Sequence, residues 1–389
     1  MKNDLTMATP KKILLISHSS HPGGAQNSLL HLINQLNKLG HSCSILFPSP
    51  HGDFIDNCLS RGITCFHVPF KWSLPNPIEG LSGLMDDTIR LAAEQLKEHQ
   101  FDLIITNTIV LLIGAELALQ LDIPNIVFVL ELINDDNSLK PVGVSLESYI
   151  QYLGNKTNGW LACSNAVQNM IINLGKIQPD KVLTFYPYTC AINSFKHAPQ
   201  PKQDTQTSQD WKIILIGEQS NRKNPAFALS VLQLLRQKGH EVFLDHFGVS
   251  SSAHEQFMNE INIKGLSKYV YCHGWSESPL NNATAKSIHL ITANCEPFGL
   301  TVPECIEAGI PVISSRCGGP EEMLPNNCLY DIGDTTNCAT LIENLIINEK
   351  EHLETLNTSR MTLENVLNDG KQLKSLKTWA EKYFEKQNL

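Results

Sequence analysis

One stretch of the chain, residues 11–49, reads KKILLISHSSHPGGAQNSLLHLINQLNKLGHSCSILFPS. Its apolar run at 13–16 is typical of a buried strand, and a loop with two glycines follows. Leucine and isoleucine then recur at helical spacing between Leu29 and Leu39, and Gly40 supplies a helix stop. A second apolar run, CSILF, closes the unit. This strand–loop–helix–strand order predicts the beginning of a parallel sheet.

The same pattern continues along the chain and restarts after a polar segment. Further strands are predicted at 101–107, 125–132, 159–164, 181–186 and 211–217, followed by EVFLDHFG, YVYCHGW, IHLITAN and PVISS. Their apolar runs are continuous rather than alternating, which suits sheets covered on both faces. The segment 197–210 has no periodicity and contains two prolines, so it predicts a linker. The fold class is therefore α/β, with two doubly wound, Rossmann-like parallel-sheet domains.

The domain boundaries follow from this pattern. We predict a first domain at 11–195, a linker at 196–210 and a second domain at 211–372. A C-terminal helix at 373–389 completes the chain, and one option is that it packs back on the first domain. Ligands of such sheets bind beyond the C-terminal ends of the strands.

Composition excludes several classes of function. The net charge of −9 argues against sequence-independent binding of nucleic acid, which needs a basic field. No apolar run approaches the roughly 20 residues of a membrane-spanning helix, and the first residues, MKNDLTMATPKK, lack the apolar core of a secretory signal. The eleven cysteines include no C-x-x-C pair. A reduced, cytoplasmic chain explains them better than disulfides or a zinc site.

The segment CEPFGLTVPECIEAGIPVISSRCGGPEE, residues 295–322, carries the densest functional signal. Glu296 and Glu304 lie eight residues apart, around a helix predicted to begin near Leu300. Free backbone N–H groups point outward from a helix N-terminus. The helix dipole would explain either glutamate alone, but the pair with Pro-Phe-Gly between them predicts a ligand site. An acid/base pair of a hydrolase is an alternative that spacing alone does not establish.

Two further segments have a functional and an ordinary interpretation. Arg222 and Lys223 precede a helix start at Asn224-Pro225, where positive charge is unfavourable unless an anion binds. The alternative is a pair of solvated surface cations. Gly23 and Gly24 form a strand-to-helix turn without the G-x-G-x-x-G dinucleotide fingerprint. They either approach a ligand or make an ordinary turn.

The segment EPFGLTVPECIEAGIPVISSRCGG resembles the E-x7-E region of retaining glycosyltransferases of the family 4 type. That family has the GT-B fold, in which two doubly wound domains face a central cleft. The matching positions are Glu296, Phe298, Gly299, Glu304, Gly309, Pro311, Val312, Gly318 and Gly319.

The resemblance implies a role for each candidate residue. Glu296 would hold the donor sugar, Glu304 would accept hydrogen bonds from the ribose hydroxyls, and Lys223 with Arg222 would hold the diphosphate. Glu296, Lys223 and Arg222 are thus the predicted catalytic residues. The other predicted donor-binding residues are Gly23, Gly24, Gly217, Phe298, Gly299, Leu300 and Thr301.

The implied reaction moves a hexose from a UDP-, GDP- or ADP-sugar to a hydroxyl of a carbohydrate or lipid-linked acceptor. No Asp-x-Asp motif lies near the predicted cleft loops, so neither a metal nor another cofactor is predicted. The setting would be assembly of bacterial surface polysaccharide or lipopolysaccharide. The enzyme would be cytoplasmic, and peripheral association with the inner face of the membrane is left open.

Two departures from the family keep alternatives open. Glu218 stands where many members carry an arginine, and Leu130, followed by Glu131, stands where many carry a histidine. His18, His21 and His273 are open candidates for that contact. The alternatives are a catalytically degenerate nucleotide-sugar-binding subunit and an epimerase or phosphorylase of the same fold.

Overall fold

The computed structural model describes residues 9–74, 76–77, 84–190, 210–281 and 283–384. The chain divides into two compact units. The first runs to Thr189 and resumes at Asp369, and the second is Cys190–Asn368. Residues 196–209 of the predicted linker lie outside the described residues.

The first unit is built on a seven-stranded parallel sheet. Its strands are β1 Lys12–Ser17, β2 Ser42–Phe47, β3 Thr64–His67, β4 Leu103–Asn107, β5 Asn125–Val129, β6 Gly159–Ala162 and β7 Val182–Thr184. The order is β3-β2-β1-β4-β5-β6-β7, so the direction of winding reverses between β1 and β4. Its helices are α1 Gly24–Lys38, α2 Asp53–Ser60, α3 Leu84–Leu96, α4 Ile113–Leu121, α5 Leu146–Gly154 and α6 Asn165–Gly175.

Three predicted strands of this unit, at 125–132, 159–164 and 181–186, end earlier than expected, and a side-chain contact marks the end of the first two. β5 stops at Val129, because Glu131 turns its carboxylate back to accept a hydrogen bond from the backbone N–H of Leu130. β6 stops at Ala162, because the Ser164 hydroxyl accepts from the N–H of Val167 and caps α6. In both cases a local side-chain contact ends the ladder.

The second unit has a six-stranded parallel sheet. Its strands are β8 Trp211–Ile216, β9 Val242–Phe247, β10 Val270–Gly274, β11 Ser287–Ile291, β12 Val312–Ser315 and β13 Leu329–Tyr330. The order is β10-β9-β8-β11-β12-β13, with the reversal between β8 and β11. Its helices are α7 Pro225–Gln237, α8 His254–Ile263, α9 Thr301–Glu307, α10 Pro320–Met323, α11 Thr335–Ile347 and α12 Glu349–Val366. The predicted fold class, two doubly wound parallel α/β domains, is confirmed.

The last helix, α13 Asp369–Phe384, belongs to the first unit. Its first residue accepts a hydrogen bond from Gln35 at 2.8 Å and pairs with Lys38 at 3.1 Å. Farther along, Trp379 and Tyr383 cover Gly159, where an added Cβ would lie 2.6 Å from the Tyr383 ring. Long-range contacts therefore place this helix. None of the described helices is long and apolar enough to cross a membrane.

Trp379→Ala tests the contribution of α13 to the first unit. Trp379 is buried, and its indole N–H has no hydrogen-bond partner among the described residues, so it acts through packing. Loss of a buried tryptophan costs about 3–5 kcal/mol. We expect that decrease in the free energy of unfolding, measured by hydrogen exchange of β6 amides in urea. The control Leu119→Ala, at an exposed position of α4, should change it by less than about 0.5 kcal/mol. Equal effects of the two substitutions would contradict this account of α13.

Candidate functional site

Three loops meet at the C-terminal edge of the second sheet, around the reversal between β8 and β11. The N–H of Asn294 donates to the carbonyl of Arg222 at 2.8 Å, and the Thr292 hydroxyl donates to the carbonyl of Lys223 at 2.7 Å. The N–H of Glu296 donates to the carbonyl of Cys317 at 2.7 Å. The loops after β8, β11 and β12 are therefore fixed to one another through their backbones.

Glu296 is the charged centre of this arrangement. Its side chain is only 12% exposed, and its Oε2 accepts a hydrogen bond from the Lys223 ammonium. A guanidinium nitrogen of Arg222 lies 3.7 Å from the same oxygen. Burial alone would raise the pKa of Glu296, but the charges of Lys223 and Arg222, with hydrogen bonds from Lys223 and the Gly299 backbone, outweigh it and lower the pKa. Glu296 is therefore an ionised, paired carboxylate.

Both predicted cations are held by the protein around this carboxylate. Arg222 also donates to the carbonyl of Cys295 at 3.2 Å, and its guanidinium lies 3.7 Å from Glu218. The residue that departs from the family pattern thus offsets part of the positive charge of Arg222. Both cations keep about a quarter of their side-chain surface exposed. They are neither freely solvated nor buried.

The N-terminus of α7 lies directly after these cations. Pro225 is its first residue and Asn224 occupies the N-cap position, as predicted, but with a left-handed backbone and no side-chain cap. The Asn224 amide instead reaches Asn294 at 3.5 Å. The N–H groups of this first turn therefore have no capping side chain.

Glu304 stands in a different electrostatic state from Glu296. It lies in the first turn of α9, and no side-chain hydrogen bond or ion pair of Glu304 occurs within the described part of the chain. Its side chain is exposed, yet desolvation by the surrounding protein, together with repulsion from Glu307, raises its pKa to about 7. The charge of Glu296 is thus compensated by two cations and the carboxylate is ionised. Glu304 has no cation to compensate its charge within the described part of the chain.

A cavity brings part of the predicted set together. Gly217, Lys223, Glu296 and Thr301 line it, with Glu218 beside them. The remaining predicted residues of this unit are not among its lining: Arg222, Phe298, Gly299, Leu300 and Glu304.

Two histidines that the sequence did not single out support this cavity. His289 is fully buried on β11, and desolvation lowers its pKa to about 4. Its Nδ1 must donate to the carbonyl of Ile214 at 2.9 Å, because a carbonyl can only accept. The neutral ring then accepts at Nε2 from the Thr301 hydroxyl at 2.9 Å. Thr301 is thereby oriented, with oxygen lone pairs left for a ligand.

His246, on β9, holds the loop that follows β8. Desolvation lowers its pKa to about 4, so the ring is neutral. Its Nε2 donates to the carbonyl of Gly217 at 3.1 Å, and its Nδ1 accepts from the Gln219 amide at 3.4 Å. Gly217 itself has φ of 143°, a conformation that favours glycine. A histidine within a mostly apolar strand was the only sequence signal for either residue.

Gly23 and Gly24 lie in the first unit, after β1 and at that sheet's own reversal. Gly24 begins α1, and Gly23 precedes it with an extended backbone. The carbonyl of Gly23 accepts from the N–H of Asn27 at 3.0 Å. Leu130 lies in the same unit after β5, next to the partly buried Glu131 carboxylate.

No group of three His, Cys, Asp or Glu side chains is placed to hold a metal ion in the described ranges.

Known proteins resemble this chain in two ways: some match part of its sequence, and solved structures match its fold over nearly the whole chain. A segment of 119 residues is 30% identical to the probable sucrose-phosphate synthase of Thermosipho melanesiensis, over 29% of this chain and 28% of that protein. A segment of 107 residues is 27% identical to the poly(glycerol-phosphate) alpha-glucosyltransferase of Bacillus subtilis, over 28% of this chain and 16% of that protein. The chain thus matches less than a third of the length of either relative.

Among solved structures, HepE of Anabaena in complex with UDP and glucose is similar over 96% of this chain and 100% of that chain. The TM-score is 0.73 and the sequence identity 18%, a likeness that concerns the fold. Residues 22–187 match the model of the family described as Glycosyltransferase Family 4, and residues 198–360 match that of Glycosyl transferases group 1. Together the two models cover most of the chain, so the chain belongs to the family 4 type of glycosyltransferases with the GT-B fold.

Proposed function

We propose that this protein is a retaining glycosyltransferase that moves a hexose from a nucleoside-diphosphate sugar to a hydroxyl acceptor. The observation that carries this proposal is the buried Glu296 carboxylate, paired with Lys223 and Arg222 beside the uncapped N-terminus of α7. A helix N-terminus with adjacent cations suits a diphosphate.

Lys223 can serve Glu296 and a phosphate together. An ammonium group has three donors, so Lys223 can keep its bond to Glu296 and donate to a phosphate oxygen. As the sugar leaves, negative charge grows on the diphosphate, and Lys223 and Arg222 would stabilise it. A diphosphate oxygen would take the proton of the acceptor hydroxyl, which approaches the face that the diphosphate leaves. Positioning and charge stabilisation would then suffice, without a strong protein base.

Glu304 would bind the ribose of the donor. A carboxylate can accept hydrogen bonds from two adjacent hydroxyl groups. Glu304 has no competing side-chain partner in the described chain, and its raised pKa of about 7 reflects an uncompensated carboxyl. Gly217 and Thr301 would contact the same donor from the cavity wall, with Phe298, Gly299 and Leu300 shaping the loop.

The donor and the setting rest on the relatives' names. HepE was crystallised with UDP and glucose, which favours a UDP-sugar here over a GDP- or ADP-sugar. The B. subtilis relative is a poly(glycerol-phosphate) glucosyltransferase, which supports a role in bacterial surface polysaccharide or lipopolysaccharide assembly. Such a reaction would take place in the cytoplasm, with peripheral contact to the inner face of the membrane. Comparing the anomeric configuration of product and donor by NMR tests retention.

A second candidate is a catalytically degenerate nucleotide-sugar-binding subunit. The proximity of Glu218 to Arg222, at 3.7 Å, favours it because the glutamate competes with a phosphate for this guanidinium. Release of free sugar from the donor separates the two, since a pure binder shows no turnover.

Lys223→Ala should weaken binding of UDP by about ten- to a hundredfold, the equivalent of 1.5–3 kcal/mol for a charge-assisted contact. The loss should be smaller for UMP, which lacks the second phosphate. Calorimetry measures both, and Lys238→Ala is the matched control, because Lys238 pairs with Glu343 on the surface of the same unit.

Lys223→Ala also leaves Arg222, at 3.7 Å, as the remaining cation beside Glu296, so the carboxylate is less well compensated and would repel a diphosphate. The double variant Lys223→Ala/Glu296→Gln removes the negative charge of Glu296, which would repel a diphosphate. Any loss of UDP affinity that persists in the double variant is therefore due to the lost contact between Lys223 and a phosphate. Unchanged affinity for UDP in Lys223→Ala would contradict a phosphate contact and leave Lys223 with a structural role only.

Affinity for a UDP-sugar should rise between pH 6 and pH 8. The ionised Glu304 carboxylate accepts stronger hydrogen bonds from two hydroxyls than the protonated carboxyl does, and its pKa of about 7 puts that ionisation within this range. The diphosphate diester itself does not titrate there. Glu304→Gln should flatten the profile and weaken binding at pH 8 by about 1.5–3 kcal/mol. The 2′-deoxy donor should bind the wild type less tightly than the ribo donor. A flat wild-type profile with no preference for ribose would remove Glu304 from the ribose site.

Turnover should continue in excess chelator, because Lys223 and Arg222 are proposed to supply the charge that a divalent cation supplies in other transferases. The measurement is sugar transfer or donor hydrolysis with and without EDTA. Complete loss that Mg²⁺ or Mn²⁺ restores would contradict the proposal.

A further inference from the structure

Four loops meet at the C-terminal edge of the first sheet and are joined by direct contacts. The indole N–H of Trp72 donates to the carbonyl of His18, in the loop after β1, at 3.0 Å. The N–H of Ser73 donates to the carbonyl of Val110, in the loop after β4, at 2.7 Å. The N–H of Ile109 in that loop donates to the Glu131 carboxylate, after β5, at 3.4 Å. Trp72 and Glu131 thus lie on loops that are joined through the loop after β4 at this edge of the sheet.

Trp72 is exposed but held in place. Half of its surface is open to solvent. Its N–H is fixed by His18, and its ring meets the His18 ring edge to face, with centroids 5.3 Å apart. Burial keeps the His18 ring neutral by lowering its pKa to about 4. Trp275 shows the contrast, because it is 64% exposed and has no hydrogen bond or ring contact among the described residues. The Trp72 ring is therefore exposed to solvent and also held in a fixed orientation.

Glu131 is a desolvated carboxylate without a cation. Its Oε2 accepts from the N–H groups of Leu130, at 3.0 Å, and Ile109. No ion pair of Glu131 occurs within the described ranges. Desolvation raises its pKa to about 7, although hydrogen bonds from Thr108, Leu130 and Ile109 oppose the shift, and the charge of Asp136 adds to it. Hydrogen-bond donors from a neutral ligand would therefore relieve this carboxylate without introducing charge.

We propose that Trp72 and Glu131 form a subsite for the pyranose ring of a carbohydrate acceptor. A pyranose has an apolar C–H face, which Trp72 would cover, and ring hydroxyls, which Glu131 would bind. A simple polyol such as glycerol has hydroxyl groups but no apolar ring face. A bilayer surface does not present an apolar ring face together with ring hydroxyls. The subsite rests on the proposed function, which requires a hydroxyl acceptor, and narrows that acceptor to a sugar.

The test uses methyl α- and β-glucopyranosides and galactopyranosides as probes, with glycerol as the polyol without a ring. Saturation-transfer NMR with the full chain measures their affinity. We expect a pyranoside to bind and glycerol not to bind. Trp72→Ala and Glu131→Gln should each weaken binding about tenfold or more, whereas Trp72→Phe should retain most of it because a ring face remains. The matched controls Trp275→Ala and Glu94→Gln, both at exposed positions, should leave affinity unchanged.

Three results would overturn the subsite. The first is that no pyranoside binds. The second is an equal loss of pyranoside affinity in Trp72→Ala and Trp275→Ala. The third is that the wild type binds phosphatidylglycerol vesicles but no pyranoside, and that Trp72→Ala abolishes the vesicle binding. Trp72→Phe and Glu131→Gln keep the test valid if Trp72→Ala does not fold. UDP calorimetry on the same variants separates the two proposals. Intact UDP binding without pyranoside binding contradicts the subsite alone, and pyranoside binding without any binding of UDP or a UDP-sugar contradicts the proposed function.

Discussion

The ion pair between Glu296 and Lys223 constrains how the loops at the edge of the second sheet are arranged. Taking a carboxylate out of water costs several kcal/mol, and only well-placed opposite charge offsets that cost. Lys223 and Arg222 supply the charge, but they are on a different loop from Glu296. The hydrogen bonds from Thr292 and Asn294 to the carbonyls of Lys223 and Arg222 are therefore necessary, because they hold the cations where Glu296 needs them.

The glycine pair after β12 belongs to the same constraint. The N–H of Gly319 donates to the carbonyl of Glu296 at 2.8 Å, which fixes the backbone of the loop that carries the carboxylate. An added Cβ at Gly319 would lie 2.4 Å from the Cα of Phe298, so only glycine allows this approach. Gly318 has φ of 117°, which also favours glycine. The glycine pair at 318–319 is thus explained largely by its role in holding the loop that carries Glu296.

The parts of the structure that depend on local pattern could be predicted from the sequence. Apolar runs located the strands, and Pro225 marked the start of α7. The contacts that depend on tertiary partners could not be predicted. His289 orients Thr301 only because Ile214 of a neighbouring strand holds its other nitrogen. The start of α13 at Asp369, four residues before the predicted position, depends on Gln35, which lies 334 residues away in the chain.

Glu296 and Glu131, both partly buried, are stabilised in opposite ways, and the difference matches the ligands proposed for them. Glu296 is offset by two cations, which keep positive charge and spare N–H donors available for a diphosphate. Glu131 is stabilised by backbone N–H groups and a hydroxyl, with no cation in the described chain, so its surroundings favour an uncharged ligand. An anionic ligand at Glu131 would meet uncompensated repulsion, and a neutral one at Lys223 would leave its remaining donors unused. These surroundings are therefore consistent with the proposed division, in which an anionic donor binds the second unit and a neutral, hydroxyl-bearing acceptor binds the first.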